Sequence, residues 1–430
     1  MLLSEYWQFV RRNRRLAAFG FLITLCSSFG QTFFIGVFGP HVQADLGLTH
    51  TEWSGVYMLG TLASAAALPF TGKFIDQLSL RRYTLLVGIG LGIACVCMAG
   101  STAVWSAVLA IFLLRQCGQG LMTHVSMTTM ARYFDAARGR AIAVATLGFP
   151  TGEALLPILT VALIGALGWR MAYASYALLL LFALLPLALW LLGGQALPIE
   201  RRAAHAASTG LPEVTPSGVE STPQRDWNRA EVMRDRAFWI MLPGVLAPSI
   251  IVTALFFHHL NIADIKGWSA QWITGCYLVY SIASVLTMLS MGPLCDRFGA
   301  RRLFPHSLWP LAAGTLLLSL ADAAWLVVPY LALLGISTGM GQTSGAAIWA
   351  ELYGVRHLGA VRSLVIALRV FASALGPIIP GTLLDRGVGL DPILALLGLI
   401  GVLGGCCLLL GVWRASGRRE RYSIRPPGSG

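Results

Sequence analysis

Gly292-Pro-Leu-Cys-Asp296-Arg297-Phe-Gly299-Ala-Arg301-Arg302 has a twin 220 residues upstream, Gly72-Lys-Phe-Ile-Asp76-Gln-Leu-Ser-Leu-Arg81-Arg82. Glycine, aspartate and a closing pair of arginines keep their places; the upstream copy departs at Gln77 and Ser79. Each copy links two long apolar runs. A second echo lies at an offset of 221, where Gly118-x-Gly120 matches Gly339-x-Gly341. Spaced repeats of this kind mark a chain built of two related halves.

The composition says where such halves reside. Of 430 residues, 56% are hydrophobic and 12% charged, with mean hydropathy +0.70. Soluble domains carry about 25% charged residues, so an ordinary cytosolic enzyme and a disordered chain are both excluded. A membrane helix needs roughly 20 apolar residues. Twelve apolar segments are expected, at 16–41, 52–72, 83–100, 103–130, 141–166, 169–192, 238–262, 269–294, 303–320, 324–350, 363–384 and 391–413. The stretch 193–236, rich in Pro, Ser, Thr and charge, reads as a hydrophilic linker. The expected fold is an all-α integral membrane protein. It has 12 transmembrane helices in two pseudo-symmetric six-helix bundles, residues 1–192 and 237–430, the second with a cytoplasmic tail.

Net charge is +12. Of the 31 cations, 26 fall in the N-terminal tail, the 2–3, 4–5, 8–9 and 10–11 loops, the linker and the C-terminal tail. Three, Arg170, Lys266 and Arg386, fall on the opposite side, and Arg115 and Arg369 lie inside segments. Positive charge collects on the cytoplasmic side, so both termini and the linker are expected there, in a plasma membrane such as the bacterial inner membrane. The same map argues against nucleic-acid binding, because the charge follows topology and not one face. Residues 1–15 are polar and basic and the first apolar run is long, so no cleavable signal is expected. The eight cysteines show no metal-ligand spacing.

On its twin loop motifs and 6+6 layout the chain resembles the major facilitator superfamily, whose loop signature is G-x-x-x-D-R-x-G-R-R. The resemblance covers nearly the whole chain. It implies a conformational latch at Gly72, Asp76, Arg81 and Arg82 and at Gly292, Asp296, Arg297, Arg301 and Arg302. Small residues let helices approach, and an aspartate can meet a facing helix N-terminus or an arginine; the plainer reading is topological charge alone. Other stretches are similar to the monocarboxylate and oxalate/formate carriers. They are Phe34-Ile-Gly-Val-Phe-Gly-Pro40 with Gly47-Leu-Thr49 and Trp53, then Arg132-Tyr-Phe134 with Arg138-Gly-Arg140-Ala141 and Gly148-x-x-x-Gly152, and Tyr353-Gly354-x-x-His357-Leu-Gly359.

Polar groups within the segments are the candidate site, because each is expensive in a bilayer. Arg115 sits mid-segment, with Gln119 one turn on. The resemblance places that helix at a central cavity, where a guanidinium can bind an anion bidentately; the alternatives are tuning a coupling acid or holding backbone carbonyls. Arg369 is a second candidate anion-binding cation, or else an arginine that snorkels or pairs with Asp76 or Glu351. Glu153, the one deep carboxylate, either carries a proton or pairs with an arginine. His258 is a second proton-coupling candidate. Gln31, His259, Tyr277 and Tyr280 are candidate substrate-binding groups, with wall packing as the plain alternative. Trp53, Trp169 and Trp268 read as interface anchors.

The expected function is a secondary active transporter that works by alternating access. It is expected to be proton-coupled, to move a small organic anion such as a monocarboxylate, and to be a monomer. The alternative is a proton-driven exporter of drugs or other lipophilic compounds. No Walker-type loop appears, and neither H-E-x-x-H nor G-x-S-x-G. No enzymatic activity, catalytic residue, metal or cofactor is expected.

Overall fold

In hydrocarbon a backbone must satisfy its own hydrogen bonds, and helix is the outcome along this chain. The computed structural model describes residues 2–134, 137–193 and 226–423, and every regular element among them is helical. Eleven helices are long and apolar enough to cross a membrane. They are α2 (His50–Asp76), α3 (Leu80–Ala99), α4 (Val104–Tyr133), α5 (Gly139–Leu167), α6 (Trp169–Leu192), α7 (Arg236–Ile265), α8 (Ala270–Phe298), α9 (Ala300–Leu320), α10 (Ala324–Tyr353), α11 (Leu358–Asp385) and α12 (Leu390–Ala415). We call the helical stretch 14–46 α1. It is interrupted: Arg14–Ser27 passes through a 3-10 turn at Ser28–Gly30 into Thr32–Val37 and Gly39–Leu46. Most of the expected linker 193–236 lies outside the described residues; its end carries the short helix Arg229–Arg234, closed by an Asn228/Glu231 capping box. The tail beyond 423 also lies outside them.

Two compact units are formed. Among the described residues, the first holds 2–35, 59–156 and 162–193, and the second holds 36–58, 157–161 and 226–423. The segment 36–58 therefore packs with the later helices, although in chain order it precedes α3.

Within the first unit, α3 packs along α4 and α6, and the first part of α1 packs along α5 and the end of α4. The α1–α4 crossing is set by two glycines. A Cβ on Gly118 would lie 2.6 Å from the Gly30 nitrogen, and one on Gly30 would lie 2.2 Å from the Leu114 carbonyl oxygen. Backbone touches backbone there, which only glycine permits. At the same level α1 breaks, with Gln31 extended at ψ 155°, and α4 widens into a π-helix over Leu114–Met122. Such turns are frequent at functional sites.

Within the second unit, α8 runs along α10, and α7 and α9 both pack on α12. Three loops are stitched by one cation. The Lys266 side chain is 2% exposed and bonds Asp322, Asp391 at 3.0 Å and the Ala321 carbonyl at 3.2 Å. Trp268 Nε1 donates to the Asp322 carbonyl at 2.6 Å beside it. Lys266→Met removes the shared donor, whereas its two carboxylates, both exposed, regain water. We expect a loss of roughly 1–2 kcal/mol, read as a melting temperature lower by a few degrees in detergent; an unchanged melting curve would show that the stitch is idle.

The tryptophans correct one expectation. Trp53, Trp169 and Trp268 are all buried, and Trp53 stacks on Phe257 at 5.7 Å. Among the described residues the exposed tryptophans are Trp7, Trp105, Trp190, Trp239, Trp272, Trp325 and Trp413.

Candidate functional site

The polar groups of the first unit gather around the α1 break. A carbonyl freed by a broken helix needs a donor, and Arg115, 2% exposed, supplies one: its Nη1 donates to the Gly30 oxygen at 3.1 Å. That bond fits the backbone-holding reading of Arg115. Gln116, which the sequence did not single out, ties α4 to α2, accepting from Ser64 Oγ at 3.0 Å and donating to Thr71 Oγ1 at 2.6 Å. Gln31 is buried and Gln119 half-buried, and neither side chain makes a hydrogen bond among the described residues. Arg115→Leu strips the Gly30 carbonyl of this partner in a dry setting. The expected cost is about 1–3 kcal/mol, seen as an earlier thermal unfolding transition; wild-type melting would remove the backbone role.

Glu153 stands on α5 beside Gly152, and α1 closes onto that glycine so tightly that a Cβ would lie 2.1 Å from Ser28 Oγ. Glu153 therefore neighbours the α1 break. It is 7% exposed, and its carboxyl makes no hydrogen bond or ion pair among the described residues. Of its two sequence readings, a permanent arginine partner is not what these residues offer.

The second unit holds the other cation. On α11, Arg362, Ile366 and Arg369 are exposed and share one stripe with Ser373, while Val361, Val365 and Ala372 are buried. Ala360, Ala367 and Phe371 form a separate, apolar exposed stripe. Arg369 Nε donates to Ser249 Oγ of α7 at 3.2 Å. Its two terminal nitrogens make no hydrogen bond or ion pair among the described residues. Neither suggested acid is its partner: Asp76 pairs with Arg132, and Glu351 is engaged on α9.

His259 is enclosed by hydroxyls. Its Nδ1 lies 2.6 Å from Tyr277 Oη and its Nε2 2.6 Å from Tyr330 Oη. A neutral imidazole suits both, donating to one phenol and accepting from the other. Phe256 packs on His259, Tyr277 and Tyr280, and Tyr280 Oη donates to Thr338 Oγ1 at 3.2 Å. Tyr330 completes the set 71 residues away in sequence, a distance no local pattern reveals. His258, the next residue back, turns elsewhere: its Nε2 donates to the Pro377 carbonyl at 2.9 Å.

The twin loops differ in detail. In the first, Asp76 meets Arg132, Ser79 caps α3 through Arg82 N, and Gly72 lies beside His124. In the second, Asp296 is exposed and makes no hydrogen bond or ion pair among the described residues. Glu351 takes the acidic role instead. Gly299, at φ +81°, ends α8, and the Glu351 carboxylate then accepts from Ala300 N at 2.7 Å and Arg301 N at 3.1 Å at the start of α9. Arg301 donates back to the Glu351 carbonyl.

The model of the Major Facilitator Superfamily matches residues 20–285 and 269–428. The chain is similar to monocarboxylate transporter 4 of Rattus norvegicus, with 24% identity over 95% of this chain and 85% of that one. It is also similar to the multidrug resistance protein B homolog of Mycobacterium tuberculosis, 28% identical over 40% of this chain and 32% of that one. Among solved structures it matches a bacterial homolog to the human lysosomal transporter Spinster. The TM-score there is 0.71 at 13% identity, covering 98% of this chain and 99% of that one, which speaks for the fold alone.

Proposed function

We propose, from the premise that this chain belongs to the Major Facilitator Superfamily, that it is a proton-coupled carrier of a small organic anion. It is a multi-pass membrane protein, and it moves a small solute by alternating access as a secondary transporter. In our reading α1 is a twelfth spanning segment, the halves 1–192 and 237–430 are the rocking bodies, and the linker and both termini are cytoplasmic in a bacterial inner membrane. The carrier works as a monomer.

The observation that carries the anionic substrate is Arg369, an exposed residue on the polar stripe of α11 whose guanidinium is held at Nε by Ser249. A braced fork keeps its terminal pair for a carboxylate, and little side-chain freedom remains to be lost on binding. Arg115, already bonded to Gly30, holds the α1 break, with Gln31 and Gln119 beside it as polar groups that a solute can engage. Glu153 is the proton carrier in this scheme, since no fixed cation among the described residues holds its charge. His259 with Tyr277, Tyr330 and Tyr280 forms a wall that positions the solute through the phenols. The latch residues of the twin loops work with Arg132 and Glu351 in switching.

A thermal-shift series with purified protein and small monocarboxylates tests the substrate class. Stabilisation by a carboxylate, absent in Arg369→Ala, is the expected result; stabilisation by lipophilic cations and none by carboxylates would favour the second reading. That reading, a proton-driven exporter of lipophilic compounds, draws on the similarity to the multidrug resistance protein B homolog.

A further inference from the structure

The first unit carries a set of cations that the fold itself does not employ. Residues 1–44 hold four arginines, Arg11, Arg12, Arg14 and Arg15, against a single acid, Glu5. All four are exposed and make no hydrogen bond or ion pair among the described residues. Two of them open the helix Arg14–Ser27, whose first turn holds no acid. A helix favours anions at that end and cations at the other, so Arg14 and Arg15 stand against the electrostatics of their own backbone. Asn13 gives no relief there, since its Nδ2 donates back to the Phe9 carbonyl at 3.1 Å.

Two contacts fix the depth of this set in the membrane. The Arg15 guanidinium lies over the ring of Trp190, 5.3 Å from its centroid. Trp190 is exposed and stands two residues before the end of α6. Tryptophans at span ends sit at the headgroup level, and a guanidinium stacked on such a ring keeps its N–H donors for an oxyanion. The other contact holds the preceding helix, Leu2–Arg12: Phe9 is buried and meets the edge of the Phe134 ring at 5.0 Å. Phe134 directly follows α4, and α4 and α6, two spans apart, end on the same side. Around the axis of Leu2–Arg12, Phe9, Val10 and Trp7 follow one another on one side, and Arg11, Gln8 and Arg12 on the other. Phe9 is buried, Val10 half-buried and Trp7 exposed, with Arg11 exposed one turn on from Trp7. One edge of the apolar side is thus packed on the fold, and the other is free. This is the layout of a helix lying in a membrane interface.

We propose that Arg11, Arg12, Arg14 and Arg15, with Trp7 and Trp190, form a site for the headgroups of anionic phospholipids, and that the helix Leu2–Arg12 lies along the bilayer surface. The lipid phosphate accepts from the guanidinium forks. The two indoles sit beside it at the boundary of headgroup and acyl chain. A zwitterionic headgroup offers the same phosphate but cancels its charge, so the preference is for a net negative lipid such as phosphatidylglycerol. A soluble anion would meet the arginines and leave both tryptophans without a partner. The site needs only that the chain spans a bilayer; the identity of the solute does not enter.

Amide hydrogen exchange of residues 7–15 in the full-length protein, at one pH and without solute, tests it. Nanodiscs of phosphatidylcholine alone are compared with nanodiscs of phosphatidylcholine mixed with phosphatidylglycerol. Protection is expected to rise at least about tenfold with the anionic lipid. Concentrated sodium chloride should remove most of that gain in the wild type, because exposed charges are screened. Arg14→Gln with Arg15→Gln should also lose most of it, whereas Arg14→Lys with Arg15→Lys should keep most. The charge-matched control Arg229→Gln with Arg234→Gln, in the second unit, should keep all of it. Equal wild-type protection in the two lipid compositions, or an undiminished gain in Arg14→Gln with Arg15→Gln, would overturn the site. The same gain from inorganic phosphate added to phosphatidylcholine nanodiscs would overturn it too, by making the ligand a soluble anion. Because no solute is present, a failed carboxylate assay and a failed lipid site are separate results.

Discussion

Arg369→Ala is expected to cut carboxylate uptake at least about tenfold while the protein still folds and reaches the membrane. Arg369 is exposed, and its one hydrogen bond among the described residues is to Ser249, so removing it leaves little buried and unsatisfied. What is lost is a charge-assisted pair of bonds to the solute, worth about 1.5–3 kcal/mol, or roughly 10–150-fold in transport efficiency. Arg369→Lys keeps the charge but not the planar fork and should retain a fraction of uptake with a raised KM. Ser249→Ala should shift KM in the same direction and by less. Radiolabelled uptake into cells, normalised to membrane-inserted protein, reads all three. Normal uptake by Arg369→Ala would remove the anion site from α11.

Glu153→Gln is expected to separate exchange from accumulation. The amide is nearly the shape of a protonated carboxyl and cannot release a proton, so a carrier that moves its proton on Glu153 should still exchange solute across a membrane at equilibrium. It should no longer concentrate solute in response to a pH gradient. The loss of gradient-driven uptake is expected to be nearly complete, because coupling is removed and not merely weakened. A variant that still accumulates solute against a pH gradient would place the coupling proton elsewhere. Folding should survive, since the carboxyl makes no hydrogen bond or ion pair among the described residues that the amide could forfeit.

The helices were legible because hydrocarbon demands long apolar runs, and eleven of the expected segments are single long helices. The first was not legible as a broken one. Its interruption at Ser28–Gly30 depends on Gly118 of α4 pressing on Gly30, a contact 88 residues apart in sequence. The polar groups inside the segments could be named from their cost in a bilayer, but their partners could not. Adjacent His258 and His259 look alike in sequence, yet about 100° of helical rotation sends one to Pro377 and the other to Tyr277 and Tyr330. The twin motif drew attention to Asp296, whereas Glu351, in no motif, receives the α9 amides. Trp53 lies near a segment end, as interface anchors do, but Phe257 of α7 covers it. In each case the deciding residue is distant in sequence, and a pattern read along the chain carries no record of it.

Proteoliposomes offer the most direct measurement of the central claim. Purified protein is reconstituted with an imposed pH gradient, and uptake of a labelled small monocarboxylate is followed with and without a protonophore. The account predicts accumulation that follows the gradient, collapses with the protonophore, and falls at least about tenfold in Arg369→Ala. Carboxylate uptake indifferent to the gradient, or gradient-driven movement of lipophilic cations with none of carboxylates, would contradict it.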